Sequence, residues 1–150
     1  CFFAQRLGLR VYGPKERADK LRQRVDLAGT LEDLPPDPAV SVVSVPGSRL
    51  ADATALVRSG GGARLSLLFS DAIQNNPPDG LHWAFRALGF AGGPKVVPAY
   101  RLLFLKDRAA LRSRLAEWAG LPGLERLVPC HGTVVSQGAA AALAAAAAAL

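Results

Sequence analysis

The stretch Leu65-Ser66-Leu67-Leu68-Phe69-Ser70-Asp71-Ala72-Ile73-Gln74 decides how this chain reads, together with Leu127-Val128-Pro129-Cys130-His131-Gly132 much later. Each is an apolar run of strand length that stops on one side chain able to hold a metal, Asp71 in the first and His131 in the second. Layered α/β proteins present ligands in this way, at the carboxyl ends of their strands. Two such ends suggest a metal site, yet a hydrolytic zinc site needs at least three protein ligands and an open position. Two obvious ligands leave it one short.

Outward from these runs, residues 53–57 and 64–69 are two apolar segments separated by Ser59-Gly60-Gly61-Gly62, the pattern of a hairpin with a glycine-rich loop. Residues 40–45 precede them as a strand closed by Pro46-Gly47, so three consecutive strands lead to Asp71. Upstream, residues 7–12 read as a short strand, and Gly13-Pro14 opens a polar helix over 15–25. Leu34-Pro35-Pro36-Asp37-Pro38 is a stiff connector that excludes helix and central strand. After Asp71, Asn75-Asn76-Pro77-Pro78-Asp79-Gly80 is a loop, and residues 81–88 form a short helix ended by Gly89. Residues 96–105 fit either a strand or an irregular buried stretch. Asp107 caps an amphipathic helix in which Leu111, Leu115 and Trp118 share one face up to Gly120. Residues 124–129 are the strand that delivers His131, and Ser136 caps a final Ala-rich helix over 137–150 with high helix propensity but a poor specific packing face.

With 150 residues, half of them hydrophobic, the chain can bury one sizeable core, and its length asks for a single domain spanning 1–150. No residue is Met, so the sequence reads as a fragment or a processed product. No apolar run approaches the roughly 20 residues of a membrane span, and Cys1-Phe2-Phe3-Ala4 is too short for a signal-peptide core. The net charge of +6 invites a nucleic-acid partner. Its cations are scattered, however; all but Lys15, Lys20, Lys95 and Lys106 of the eighteen are arginines, and the few aromatics do not interleave with them as a stacking platform requires. Neither nucleic acid nor membrane is therefore favoured as a partner. Cys1 and Cys130 form no paired spacing, which argues against a disulfide framework and fits a reducing, cytoplasmic compartment.

Each candidate has a plainer reading beside the functional one. Asp71 follows Leu67-Leu68-Phe69, where an ionised carboxylate needs a partner; that partner is a metal, or Asp71 caps the turn or next helix with help from Asn75. His131 precedes Gly132, which lets the backbone turn sharply and frees the imidazole to face a cleft or to bond within its loop. His82 lies eleven residues after Asp71, close enough in sequence to be a third candidate ligand, though a surface histidine near a helix start is the simpler account. Neighbours on an extended segment point to opposite faces, so Cys130 is not expected to join His131 as nucleophile and base, and it reads as a buried small residue, with a redox or ligand role as the lesser alternative. Gly60-Gly61-Gly62 lacks the Lys and the strand-to-helix setting of a phosphate loop.

Taken in order, these features resemble the second half of the metallo-β-lactamase superfamily. There a G-H-T-P-G-S segment leads through two strands to L-F-x-G-D, and a helical excursion then leads to V-P-x-H-G and a closing helix. Ser44-Val45-Pro46-Gly47-Ser48, Leu68-Phe69-Ser70-Asp71 and Val128-Pro129-Cys130-His131-Gly132 are similar to the three motifs, and Leu9-Arg10-Val11-Tyr12-Gly13-Pro14 looks like the strand and turn after the family's first metal motif. The resemblance implies an α/β fold, the greater part of a four-layer αββα sandwich whose first strands lie outside this sequence. It implies Asp71 as a carboxylate bridging two metal ions and His131 as the last histidine ligand, at the edge of a cleft. Zinc is the usual metal, with iron or manganese as alternatives, and a water activated by it would attack a carbonyl or phosphoryl centre of an unidentified small-molecule substrate.

The departures point the other way. The family's H-x-H-x-D-H motif has no counterpart here, and Ser44 stands where the family's middle histidine would be, a hydroxyl being a poor zinc ligand. In this the chain is similar to degenerate, uncharacterised branches of the superfamily. Two functions are thus expected to compete, a metal-dependent hydrolase-like domain and an inactive descendant kept for binding or assembly. A partial sandwich with an unpaired edge is also expected to self-associate.

Overall fold

A computed structural model describes residues 2–150. In chain order it contains α1 (Phe2–Leu7), β1 (Val11–Gly13), α2 (Ala18–Arg22), β2 (Leu27–Thr30), β3 (Val40–Ser44), β4 (Ala53–Ser59), β5 (Arg64–Phe69), α3 (Trp83–Ala87), α4 (Pro98–Leu103), α5 (Arg108–Ala119), β6 (Leu124–Pro129) and α6 (Ala139–Ala148). The fold is mixed α/β. Four strands form one sheet in the order β3-β4-β5-β6, and β1 and β2 form a small parallel sheet of their own. Among the described residues no helix is long and apolar enough to cross a membrane.

The expected hairpin is the centre of the main sheet. β4 and β5 pair antiparallel from Thr54 opposite Phe69 to Ser59 opposite Arg64, with the glycine loop between them, and β3 lies antiparallel on the outer side of β4. β6 then pairs parallel with β5, Leu67 beside Leu127 and Phe69 beside Pro129. A parallel neighbour needs a crossover, which residues 70–123 supply through α3, α4 and α5. Because side chains alternate along a strand, Leu65, Leu67 and Phe69 all reach one face, and all are buried. Leu127 joins them from β6, and the Phe69 ring meets Trp118 edge-on at 5.8 Å. The opposite face is only half covered, which leaves Leu68 exposed.

The α5 expectation holds: Asp107 caps the helix by accepting from Ala110 N at 2.9 Å, and Leu111, Leu115 and Trp118 are buried together. Other expectations need correction. The polar helix expected over 15–25 is a 3-10 turn, Lys15–Arg17, followed by the five-residue α2. The chain leaves it early because Leu27–Thr30 is drawn into a strand beside β1, an element not anticipated in a segment containing a glycine and an alanine. The strand expected at 7–12 is shortened by α1 and begins only at Val11. Residues 98–103 are helical rather than extended, since Pro98 suits a first helical turn and Tyr100 is thereby turned inward.

The last helix differs in two respects. It starts at Ala139 from Gly138 in the left-handed region, φ 65°, with no side-chain cap, so Ser136 does not cap it. It also has a definite packing face. Ala139, Leu143, Ala146, Ala147 and Leu150 recur at helical spacing and are all buried, with α6 lying against α5 and β6. Methyl side chains let the helices approach closely, and Leu143 is fully buried in the core.

Candidate metal-binding site

The register places three strand ends at one end of the main sheet. Ser44 closes β3 opposite Ala53, Phe69 closes β5 opposite Thr54, and Pro129 closes β6 beside Phe69. The chain segments carrying Asp71 and His131 therefore leave the sheet side by side, and the two side chains meet: His131 Nε2 lies 3.0 Å from Asp71 Oδ1. Both are substantially exposed, His131 at 56% and Asp71 at 42% of their side-chain surface, so solvent reaches the pair freely.

Cys130 completes the group. Its Sγ donates to the Ser70 carbonyl at 2.8 Å and lies 3.8 Å from Asp71 Oδ1, and one donor atom from each of Asp71, Cys130 and His131 falls within 4.8 Å of the others. Desolvation raises the Cys130 thiol above its ordinary value, and the neighbouring Asp71 carboxylate adds to the rise. A raised pKa and a bond to a carbonyl rather than to an imidazole are the reverse of an activated nucleophile. The arrangement is a donor set of carboxylate, thiol and imidazole at the surface.

The turn after β6 brings adjacent residues to one place. Gly132 has φ 97°, and a Cβ on it would overlap the Asn75 carbonyl. Asn75 N donates to the His131 carbonyl at 3.0 Å, Thr133 N donates to the Asn75 carbonyl at 2.8 Å, and Asn75 Nδ2 donates to the Thr133 carbonyl at 2.8 Å. These bonds clamp the backbone of residues 131–133 against the segment after Asp71, which brings His131 beside the carboxylate.

Behind the pair lies a second polar group that the sequence did not announce. The buried Asp52 carboxylate accepts from Ser48 Oγ and Ser70 Oγ, each at 3.1 Å, and from the Tyr100 hydroxyl. Burial drives the Tyr100 phenol far above its ordinary value, and its bond to Asp52 pushes the same way. Three hydroxyl donors satisfy a carboxylate that would otherwise be costly to bury. The residue after Ser70 is Asp71, so this network ties the strand end that carries Asp71 to α4 and to the loop after β3.

No protein-family model matches the chain, and no curated protein matches it.

Among the expected site residues, Asp71 and His131 are thus brought together. Asp71 caps no helix, since the next one starts only at Trp83, and Asn75 serves the His131 turn instead. His82 stands apart from the group: it is the N-cap of α3, exposed, with Nδ1 accepting from Ala84 N at 3.3 Å. Two expectations fail here. Cys130 is exposed rather than buried, and its side chain converges with that of His131 because β6 ends at Pro129 and alternation no longer applies. The signal was present in Pro129 and Gly132, which bracket the two residues as a turn. One groove of about 490 Å³ runs between the connector prolines and β3, lined by Leu31, Leu34, Pro36 and Val40, and a second of about 440 Å³ lies between α2 and Leu50; Asp71, Cys130 and His131 line neither.

Proposed function

We propose that the chain carries the metal-binding end of a metallo-β-lactamase-like, metal-dependent hydrolase, with Asp71 and His131 as ligands. The observation that carries the reading is the 3.0 Å approach of these side chains across two adjacent strand ends. Order along the chain supports it: a strand ending at Ser44, a hairpin, Asp71 after β5, a helical excursion, a parallel β6, His131 and a closing helix follow the sequence of features that the resemblance calls for.

The donor set fits a divalent ion such as zinc, which accepts imidazole, carboxylate and thiolate. Such an ion would supply Lewis acidity and lower the pKa of bound water. The chain's own part is positional. Asp71 presents Oδ1 toward the imidazole, the Asn75 clamp holds the His131 backbone, and the exposure of both side chains leaves room for water and an acyl or phosphoryl group.

The test is to load the purified chain with zinc, manganese or iron and to follow cleavage of activated esters and phosphodiesters. Activity that needs metal and disappears in both Asp71→Ala and His131→Ala is expected. Metal-independent cleavage, or cleavage untouched by either substitution, would sink the proposal. Ser44 favours a second reading, a non-catalytic descendant. Its hydroxyl is buried at the same end of the sheet without a hydrogen-bond partner, so this strand end offers no imidazole. Metal binding with no turnover on any of these substrates would favour that reading.

A further inference from the structure

We infer that Cys130 is the third protein ligand of this centre, so that Asp71, Cys130 and His131 form a one-metal, thiolate-containing site for a thiophilic divalent ion; the inference rests on the metal reading above. Tetrahedral coordination at ordinary zinc bond lengths sets nitrogen and oxygen ligands about 3.3 Å apart and sulfur and oxygen ligands about 3.6 Å apart. The chain holds His131 Nε2 and Asp71 Oδ1 at 3.0 Å, and Cys130 Sγ and Asp71 Oδ1 at 3.8 Å. Shifts of a few tenths of an ångström bring both pairs to those separations, and the third pair, Cys130 with His131, lies within 4.8 Å. Asp71 Oδ1 faces both partners, which suits a terminal ligand of one ion rather than a bridge between two.

Donor chemistry narrows the metal. A thiolate beside an imidazole selects zinc over manganese, magnesium or calcium, which prefer oxygen ligands. Three protein ligands leave a fourth tetrahedral position, and the exposure of the group leaves that position to solvent. On this account Ser44 is not a lost ligand whose absence disables the site. The site takes its third donor from the residue next to His131 instead.

Cobalt(II) titration of the purified chain tests this, because thiolate coordination adds a charge-transfer band in the near ultraviolet that imidazole and carboxylate do not give. The chain's other cysteine, Cys1, is removed as a control. The expected result is one cobalt per chain and a thiolate band that is kept in Cys1→Ser and lost in Cys130→Ser, with affinity in the latter at least tenfold weaker. Asp71→Asn and His131→Ala should weaken binding similarly, with circular dichroism confirming that each variant is folded. Binding without the band, or with a band and affinity unchanged in Cys130→Ser, overturns Cys130 as a ligand while leaving the Asp71 and His131 centre standing. No binding by the folded wild-type chain overturns both.

Discussion

Substituting Gly132 by alanine tests how the turn after β6 builds the site. Gly132 has φ 97°, beyond the left-handed well in which an L-residue already costs roughly 1–2 kcal/mol. A Cβ there would overlap the Asn75 carbonyl, so the two segments must separate. Separation breaks the bonds from Asn75 N to the His131 carbonyl and from Thr133 N to the Asn75 carbonyl, now 3.0 Å and 2.8 Å, each worth about 1 kcal/mol. Gly132→Ala should therefore cost about 3–5 kcal/mol of stability. Gly61 is the control: it also lies in the left-handed region, φ 67°, but nothing lies within 4 Å of a Cβ added to it. Gly61→Ala should cost only about 1 kcal/mol. Urea unfolding followed by circular dichroism gives both numbers, and cobalt titration of the same proteins shows whether His131 has moved from Asp71. A Gly132→Ala protein within about 1 kcal/mol of Gly61→Ala would refute the steric argument, and so would undiminished cobalt affinity.

Three further substitutions or titrations probe the frame that holds the site. Leu143→Ala, at an α6 side chain with no exposed surface, should destabilise by about 2–5 kcal/mol in the same unfolding assay, and a loss below about 1 kcal/mol would mean that α6 is not packed as described. Asp107→Ala removes the cap on Ala110 N and should cost about 1 kcal/mol with the α5 core unchanged; no loss would show that water replaces the cap. Burial and the Asp52 bond hold the Tyr100 pKa above its unfolded value near 10, so the folded state keeps a proton that the unfolded state releases, and stability falls as pH rises above 10. Phenolate absorbance of a Tyr12→Phe protein should thus show Tyr100 resisting ionisation until the chain unfolds, whereas a reversible step near pH 10 in that folded protein would contradict the buried network.

The sequence was legible where one local rule acted alone. Glycine loop and alternation defined β4 and β5, and Asp107 with Leu111, Leu115 and Trp118 defined α5, because capping and periodicity agreed there. It was illegible where a tertiary partner decided. Leu27-Ala28-Gly29-Thr30 has little strand propensity of its own and becomes β2 only because β1 is there to pair with. The alanine run predicted a helix correctly but hid its packing face, since a stripe of methyl groups looks the same on every side until Leu143 and its neighbours are seen to be buried. Asp52 was missed for a related reason. Its donors Ser48, Ser70 and Tyr100 are up to 48 residues away in sequence, and only the folded register gathers them.

The candidate site shows the same division more sharply. Asp71 and His131 were readable because each terminates an apolar strand, and two neighbouring parallel strands must deliver their carboxyl ends to one edge of a sheet. Cys130 was less so, its ligand role being only the lesser alternative, because alternation along a strand was extended one step too far. Had β6 continued through residue 131, the thiol and the imidazole would face opposite ways, and one donor would be lost to the group. Pro129 ends the strand and Gly132 reverses the chain, so two consecutive residues turn toward one carboxylate. The third donor of the proposed centre is therefore a product of the turn, and the backbone conformation that only glycine adopts comfortably at residue 132 is what the proposed metal site rests on.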